Sequence, residues 1–214
     1  MLTGVKAVIF DMDGVIIDSE PLWRRIMVRS FTEAGIPFTE NDCRITTGLR
    51  FKEVAAYWFK KHNMHHIPIP EFDALVIKRL SELIIEEGTA MKGVNKALEL
   101  LKQNGYKIAI GTSSNTAFMN TVIDALKINS YFDVLCSAEH MAYGKPHPDV
   151  FLACAAQMGV DPKECLVIED SINGIVAAKA AQMKVLAIPD EESKHNPKFA
   201  LADYRLNSLE EFLV

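Results

Sequence analysis

Four short clusters carry the side chains with the most chemical scope in this chain: Asp11-Met12-Asp13-Gly14, Thr112-Ser113-Ser114, Lys145-Pro146 and Glu169-Asp170. Together they offer four carboxylates, one amine and several hydroxyls. That set suits a hard divalent cation beside a phosphate, because Mg²⁺ takes oxygen ligands and is held by one or two carboxylates, waters and phosphate oxygens. Zinc, which favours cysteine and histidine, is disfavoured. Taken one at a time, the clusters have plainer readings. An acidic residue after a strand can be a loop residue or a helix cap, the hydroxyls of Thr112 to Ser114 can cap the helix that follows, and Lys145 can be solvated. Asp11-Met12-Asp13-Gly14 also lacks the later ligands and the closing glutamate of a calcium-binding loop.

The elements that must hold these clusters point to one site. Short apolar runs at 5–10, 107–111, 133–136, 165–168 and 184–188 read as buried strands, and each cluster stands at or beyond the carboxyl end of one of them. Helical patterns at 94–104, 116–126, 149–158 and 172–183 lie between the runs. Gly105 and Gly159 close two of these helices and Pro148 opens one. Strands alternating with helices imply parallel βαβ units, hence an α/β fold: a three-layer, Rossmann-like parallel sheet. Ligands of such sheets bind outside the carboxyl ends of the strands. One stretch breaks the alternation, with helical patterns at 21–35, 40–46, 51–62 and 71–87 and no strand between them. It reads as an all-helical cap domain, residues 18–88, inserted into a core domain of residues 1–17 and 89–214. The expected hinges are 14–19 and 88–93.

Composition narrows the partners. The chain has 214 residues, 49% of them hydrophobic, with 23 basic against 28 acidic side chains and a net charge of −5. The absence of a Lys/Arg run argues against a nucleic-acid partner. No segment approaches the roughly 20 apolar residues of a membrane span, and the first ten residues lack the apolar middle of a signal peptide. Cys43, Cys136, Cys154 and Cys165 are spaced too irregularly for a zinc or redox pair and read as small buried apolar residues. A cytoplasmic monomer acting on a small phosphorylated metabolite is the expectation.

The motifs resemble those of the haloacid dehalogenase superfamily, within its helical-cap phosphatase and phosphomutase branch. Phe10-Asp11-Met12-Asp13-Gly14-Val15 matches the first motif, Thr112 the second, and Gly144-Lys145-Pro146-His147-Pro148-Asp149 the third. Glu169-Asp170-Ser171 with Gly174 matches the fourth. The segment Asp18-Ser19-Glu20-Pro21-Leu22-Trp23, the triplet Gly48-Leu49-Arg50 and the tract 154–183 are similar to bacterial 2-deoxyglucose-6-phosphate and hexitol phosphatases.

The resemblance implies a core of the haloacid dehalogenase type and a Mg²⁺-dependent phosphatase of small sugar or sugar-alcohol phosphates. Asp11 would be the nucleophile that forms an aspartyl-phosphate, and Asp13 the general acid and base. Mg²⁺ would be held by Asp11, the Asp13 carbonyl and Asp170, with Glu169 acting through a bound water or behind the ligands. Lys145 would neutralise charge near Asp11, while Thr112, Ser113 and Ser114 would bind phosphate oxygens. An aspartate at position 13 points away from the superfamily's dehalogenases, which lack it. On the cap side, Glu20 and Arg50 are expected nearest the substrate. β-Phosphoglucomutases carry a histidine where this chain has Trp23, and an indole nitrogen only donates, so hydrolysis is favoured over the alternative of a β-phosphoglucomutase-type sugar phosphomutase.

Overall fold

The computed structural model describes residues 1–46 and 48–213. Six strands form one parallel sheet: β1 (Ala7–Phe10), β2 (Lys107–Thr112), β3 (Val134–Ser137), β4 (Cys165–Glu169), β5 (Lys184–Ala187) and β6 (Tyr204–Arg205), in the order β3-β2-β1-β4-β5-β6. The first five follow the apolar runs of the sequence. Those runs are continuous rather than alternating because both faces of the sheet are covered. Val8, Phe10, Ile108, Ile110, Leu166 and Ile168 point into one apolar layer, and Ala7, Ile9, Ala109, Val167 and Val185 into the other. The first layer is completed by α5 (Val94–Gln103) and α6 (Thr116–Leu126), the second by α7 (Asp149–Met158) and α8 (Ile172–Ala180). The α/β three-layer reading is therefore correct. β6 has no counterpart in the sequence reading: it is two residues long and carries no apolar run.

Register fixes what stands beside what. Phe10 pairs with Ile110 of β2 and with Ile168 of β4, so Asp11 leaves the centre of the sheet between Thr112 on one side and Glu169-Asp170 on the other. Asn115 caps α6 by accepting from the Phe118 N–H at 2.8 Å, and Ser171 caps α8 by accepting from the Gly174 N–H at 3.0 Å.

Between β1 and α5 runs an all-helical insert of α1 (Glu20–Glu33), α2 (Glu40–Cys43), α3 (Phe51–Lys61) and α4 (Ile69–Glu87). α2 is shorter than the pattern over 40–46 suggested, because Arg44–Thr46 tightens into a 3₁₀ turn. α4 begins two residues earlier than the pattern over 71–87, since Pro70 fits a first helical turn, where its missing N–H has no partner to lose. The insert has an aromatic interior: Phe31 stacks on Phe38 with ring centroids 4.4 Å apart and lies 5.0 Å from Phe72. α4 packs on α1, α3 and α6, which seats the insert over the core. The two chain crossings run side by side, with the Asp18 N–H on the Thr89 carbonyl and the Met91 N–H on the Ile16 carbonyl, each at 2.9 Å. Among the described residues no helix is long and apolar enough to cross a membrane, and all four cysteines are buried.

Candidate active site

Asp11 is the first residue past β1, and its N–H is fixed by the Ile168 carbonyl at 2.9 Å. Its Oδ1 accepts from Lys145 Nζ at 2.8 Å, and the same ammonium donates to Glu169 Oε1 at 2.6 Å. Glu169 is wholly buried, and its Oε2 accepts from the Asp170 N–H, the Ser171 N–H and the Ser171 hydroxyl, each at 3.0 Å. This carboxylate lies against the first turn of α8, where negative charge is favoured. A Cβ at Gly174 would overlap it, which gives the glycine of the fourth motif a packing reason.

One ammonium faces three carboxylates here. Burial pushes the Asp11 carboxyl up to about 7, Lys145 opposes the rise and Glu169 adds to it. Burial likewise holds Asp170 well above the usual carboxylate range, reinforced by Glu169 and Asp11. For Lys145, burial works against the charged form, but Asp11 and Glu169 outweigh it and leave its affinity for the proton raised. The site is short of positive charge. Ligand atoms of Asp11, Glu169 and Asp170 lie within 4.8 Å of one another. Both Glu169 oxygens are engaged, whereas Asp11 Oδ2 and the Asp170 carboxylate have no hydrogen-bond donor among the described residues. An all-oxygen set whose negative charge one lysine does not balance fits a hard divalent metal.

Asp13 stands beyond this group on a tight loop. Its Oδ1 accepts from the Ser19 hydroxyl at 2.6 Å and from Trp23 Nε1 at 3.0 Å, and its Oδ2 from the Ser114 hydroxyl at 2.7 Å. Gly14 next to it has φ +75°, and a Cβ there would overlap the Asp170 carboxylate, so two independent constraints require glycine. Trp23 lies on α1 with ring centroids 5.6 Å from Phe51 and 5.8 Å from Phe118. The sequence reading treated Trp23 as the place of a missing imidazole and left Ser19 without a role. Helical spacing shows which face a residue occupies but not which polar atom it meets across a groove.

The other expected site residues divide. Thr112 is buried, and its hydroxyl oxygen accepts from the Ser114 N–H at 3.0 Å. Ser113 donates to the Gly48 carbonyl of the insert at 3.1 Å. Arg50 lines the cavity, yet its guanidinium reaches the core: it donates to the carbonyls of Ala138 at 3.2 Å and Met141 at 2.7 Å and pairs with Glu53. It also packs on Gly144, where a Cβ would lie 2.8 Å from Arg50 Nε. Glu20 pairs with Arg24 at 3.1 Å, and burial, partly offset by Arg24, raises its carboxyl. Arg24 and Arg44 both reach Glu192, at 3.1 and 2.7 Å, so the acidic segment 190–194 of the core borders the insert. Between insert and sheet edge lies a cavity that brings Asp11, Asp13, Thr112 and Asp170 together with Glu20 and Arg50.

Carboxylates, lysine and hydroxyls gathered at the carboxyl edge of a parallel sheet, under a helical insert, mark an α/β enzyme that handles a phosphorylated ligand. Residues 5–182 match the haloacid dehalogenase-like hydrolase family. The chain is 38% identical over 208 residues to hexitol phosphatase B of Escherichia coli, covering 97% of this chain and 94% of that protein. It is 31% identical to a phosphorylated carbohydrates phosphatase of Thermotoga maritima, covering 83% and 82%. Among solved structures, CbbY of Rhodobacter sphaeroides in complex with phosphate superposes with a TM-score of 0.86 at 27% identity over 97% of this chain and 96% of the other. The chain belongs to the haloacid dehalogenase-like hydrolases, and it is an enzyme related over nearly its whole length to named phosphatases.

Proposed function

We propose that this enzyme is a Mg²⁺-dependent phosphatase that hydrolyses small sugar or sugar-alcohol phosphates through an aspartyl-phosphate on Asp11. The observation that carries the reading is the pairing of two carboxylates with different surroundings at one sheet edge. Asp11 is fixed by Lys145 with one oxygen to spare, and Asp13 is held by three hydrogen-bond donors. In this reading Asp11 attacks phosphorus, and Asp13 protonates the departing sugar oxygen and later takes a proton from the attacking water. Lys145 balances the charge that gathers on Asp11, and the Thr112 hydroxyl with the amides after it binds phosphate oxygens.

Asp11, Asp170 and the Asp13 carbonyl would hold the metal, with Glu169 behind them orienting Lys145. When bound, Mg²⁺ supplies the positive charge that a single lysine does not. Residues 18–88 would act as the cap, excluding water and presenting Glu20 and Arg50 to the organic part of the substrate. The enzyme would work in the cytoplasm, as a monomer.

The test is release of inorganic phosphate from a panel of phosphorylated sugars, hexitols and nucleotides, with Mg²⁺ and with EDTA. Metal-dependent turnover of sugar or hexitol phosphates is expected. Turnover that survives EDTA, or that is confined to nucleotides, would overturn the reading.

A further inference from the structure

The loop that delivers Lys145 to the site is held from the insert. It leaves β3 at Ala138, and from His140 to Gly144 it makes no hydrogen bond to the sheet or the core helices among the described residues. Its outside partners stand at the start of α3. Arg50, 6% exposed, donates to the carbonyls of Ala138 and Met141, and Lys52 donates to that of Glu139 at 2.7 Å. The same guanidinium pairs with Glu53, whose other carboxylate oxygen accepts from the Arg50 N–H at 3.1 Å, so the fork is set before it meets the loop. Gly144 is buried and has no left-handed φ, so its backbone alone does not demand glycine. The demand comes from packing: a Cβ there would lie 2.8 Å from Arg50 Nε and 3.0 Å from Glu53 Oε2. Lys145 is the next residue, and its buried ammonium bridges Asp11 and Glu169.

We infer that Arg50 is a positioning residue for Lys145: lodged in the room that Gly144 leaves, it fixes the loop 138–144 from the insert side and so sets the ammonium against Asp11 when the insert is seated on the sheet edge. This rests on the phosphatase reading, in which Lys145 balances the charge on Asp11, and adds a link by which closure of the insert completes the reacting group. One planar guanidinium serves two carbonyls and a carboxylate at once, which an ammonium on a flexible stem does not do. With the insert lifted, the stretch 140–144 would lose its partner, and a misplacement of about 1 Å near a reacting group can cost about a hundredfold in rate.

The test measures kcat and KM for phenyl phosphate, whose leaving group offers no sugar hydroxyl to the insert, in the wild type, Gly144→Ala, Arg50→Ala and the double variant. Gly144 does not line the cavity, so its substitution removes no contact with substrate. Gly144→Ala should displace Arg50 and lower kcat about tenfold, with KM changed less than about twofold. In the Arg50→Ala background the same change should cost less than about twofold, because the room is already empty. Equal costs of Gly144→Ala in the two backgrounds, or a loss confined to KM, would overturn the inference. Failure of the wild type to release phosphate from any ester would instead sink the phosphatase reading. In that case, or if a variant does not fold, amide hydrogen exchange in Arg50→Lys decides the inference. The Met141 and His147 amides should exchange at least about tenfold faster than in the wild type, with those of α5 unchanged. Unchanged exchange over 138–147 ends it.

Discussion

The indole N–H of Trp23, on the first helix of the insert, donates to Asp13 Oδ1 at 3.0 Å, on the loop that leaves β1. Ser19, in the chain crossing between them, donates to the same oxygen at 2.6 Å. Asp13 is therefore oriented from both sides of the cavity: by Trp23 and Ser19 at the beginning of the insert, and by Ser114 from the loop after β2. Its aim depends on the insert being seated over the sheet edge. With Asp13 as the proposed acid-base group, that arrangement would tie proton transfer to closure of the insert around a substrate.

Trp23→Phe keeps an aromatic ring against Phe51 and Phe118 but removes the donor. The expected loss is about tenfold in kcat/KM on a hexitol phosphate, the worth of one hydrogen bond to a charged group. An aryl phosphate should lose much less, because its leaving oxygen departs without needing a proton. Equal losses on the two esters would mean that Trp23 acts through packing and not through Asp13.

Asp13→Asn should preserve the fold. An asparagine can still accept from Ser19 and Trp23 with its carbonyl, while the Ser114 hydroxyl turns to accept from its amide. Proton transfer is lost, and with a sugar-alcohol leaving group the expected fall in kcat is about 10²–10⁴-fold. Phosphate should still inhibit the variant competitively. A fall of less than about tenfold would remove Asp13 from the acid-base role.

The route from sequence to site was open where chemistry sits next to strand ends. β1 to β5 are legible because each is an apolar run covered on both faces, and the residue types that follow them are those a cation and a phosphate require. Asp11, Thr112, Lys145 and Asp170 meet in space because parallel strands bring their carboxyl ends to one edge. Even the two glycines that matter most, Gly14 and Gly174, can be traced to motif positions, although only the packing shows that carboxylates occupy the room a Cβ would need. What the sequence hides is set by how the insert lies on the core. Arg50 is legible as a residue that lines the cavity, but only the packing of the insert shows that its guanidinium also meets the carbonyls of Ala138 and Met141. Asp73 stands in an unremarkable charged pattern, and nothing local marks it as facing the cavity. β6 is held at the sheet edge by pairing with β5 and carries no apolar signal of its own.

The crowded carboxylates should make stability depend on pH in a direction that Mg²⁺ opposes. Asp11 has its carboxyl raised from 3.8 to about 7 in the folded protein. Between those values the folded chain retains a proton that the unfolded chain has lost. The metal-free protein therefore loses stability as pH rises through that window, and the loss is complete above about 7. Asp170 shifts in the same direction. A bound cation takes the place of the proton. In EDTA the thermal midpoint should be lower at pH 8 than at pH 5.5, and saturating Mg²⁺ should raise it by at least about 4 °C at pH 8 and by less at pH 5.5. The same Mg²⁺ shift at both pH values would show that the metal does not bind at these carboxylates.

Hydrolysis should exceed isomerisation, and Trp23→His should not by itself produce an efficient mutase. A mutase must retain a bisphosphate long enough to turn it around, keep water from the aspartyl-phosphate meanwhile, and bind a second phosphate while the first reacts. An imidazole at position 23 would supply a proton-transfer group near Asp13. It would leave Arg24 and Arg50 committed to their present partners. The measurement is glucose 6-phosphate formed against inorganic phosphate released, from β-glucose 1-phosphate with a trace of glucose 1,6-bisphosphate. Phosphate should be the main product for both proteins. If the wild type makes glucose 6-phosphate much faster than phosphate, it is a phosphomutase and the assignment as a phosphatase is wrong. If only Trp23→His does so, the indole is what separates the two reactions.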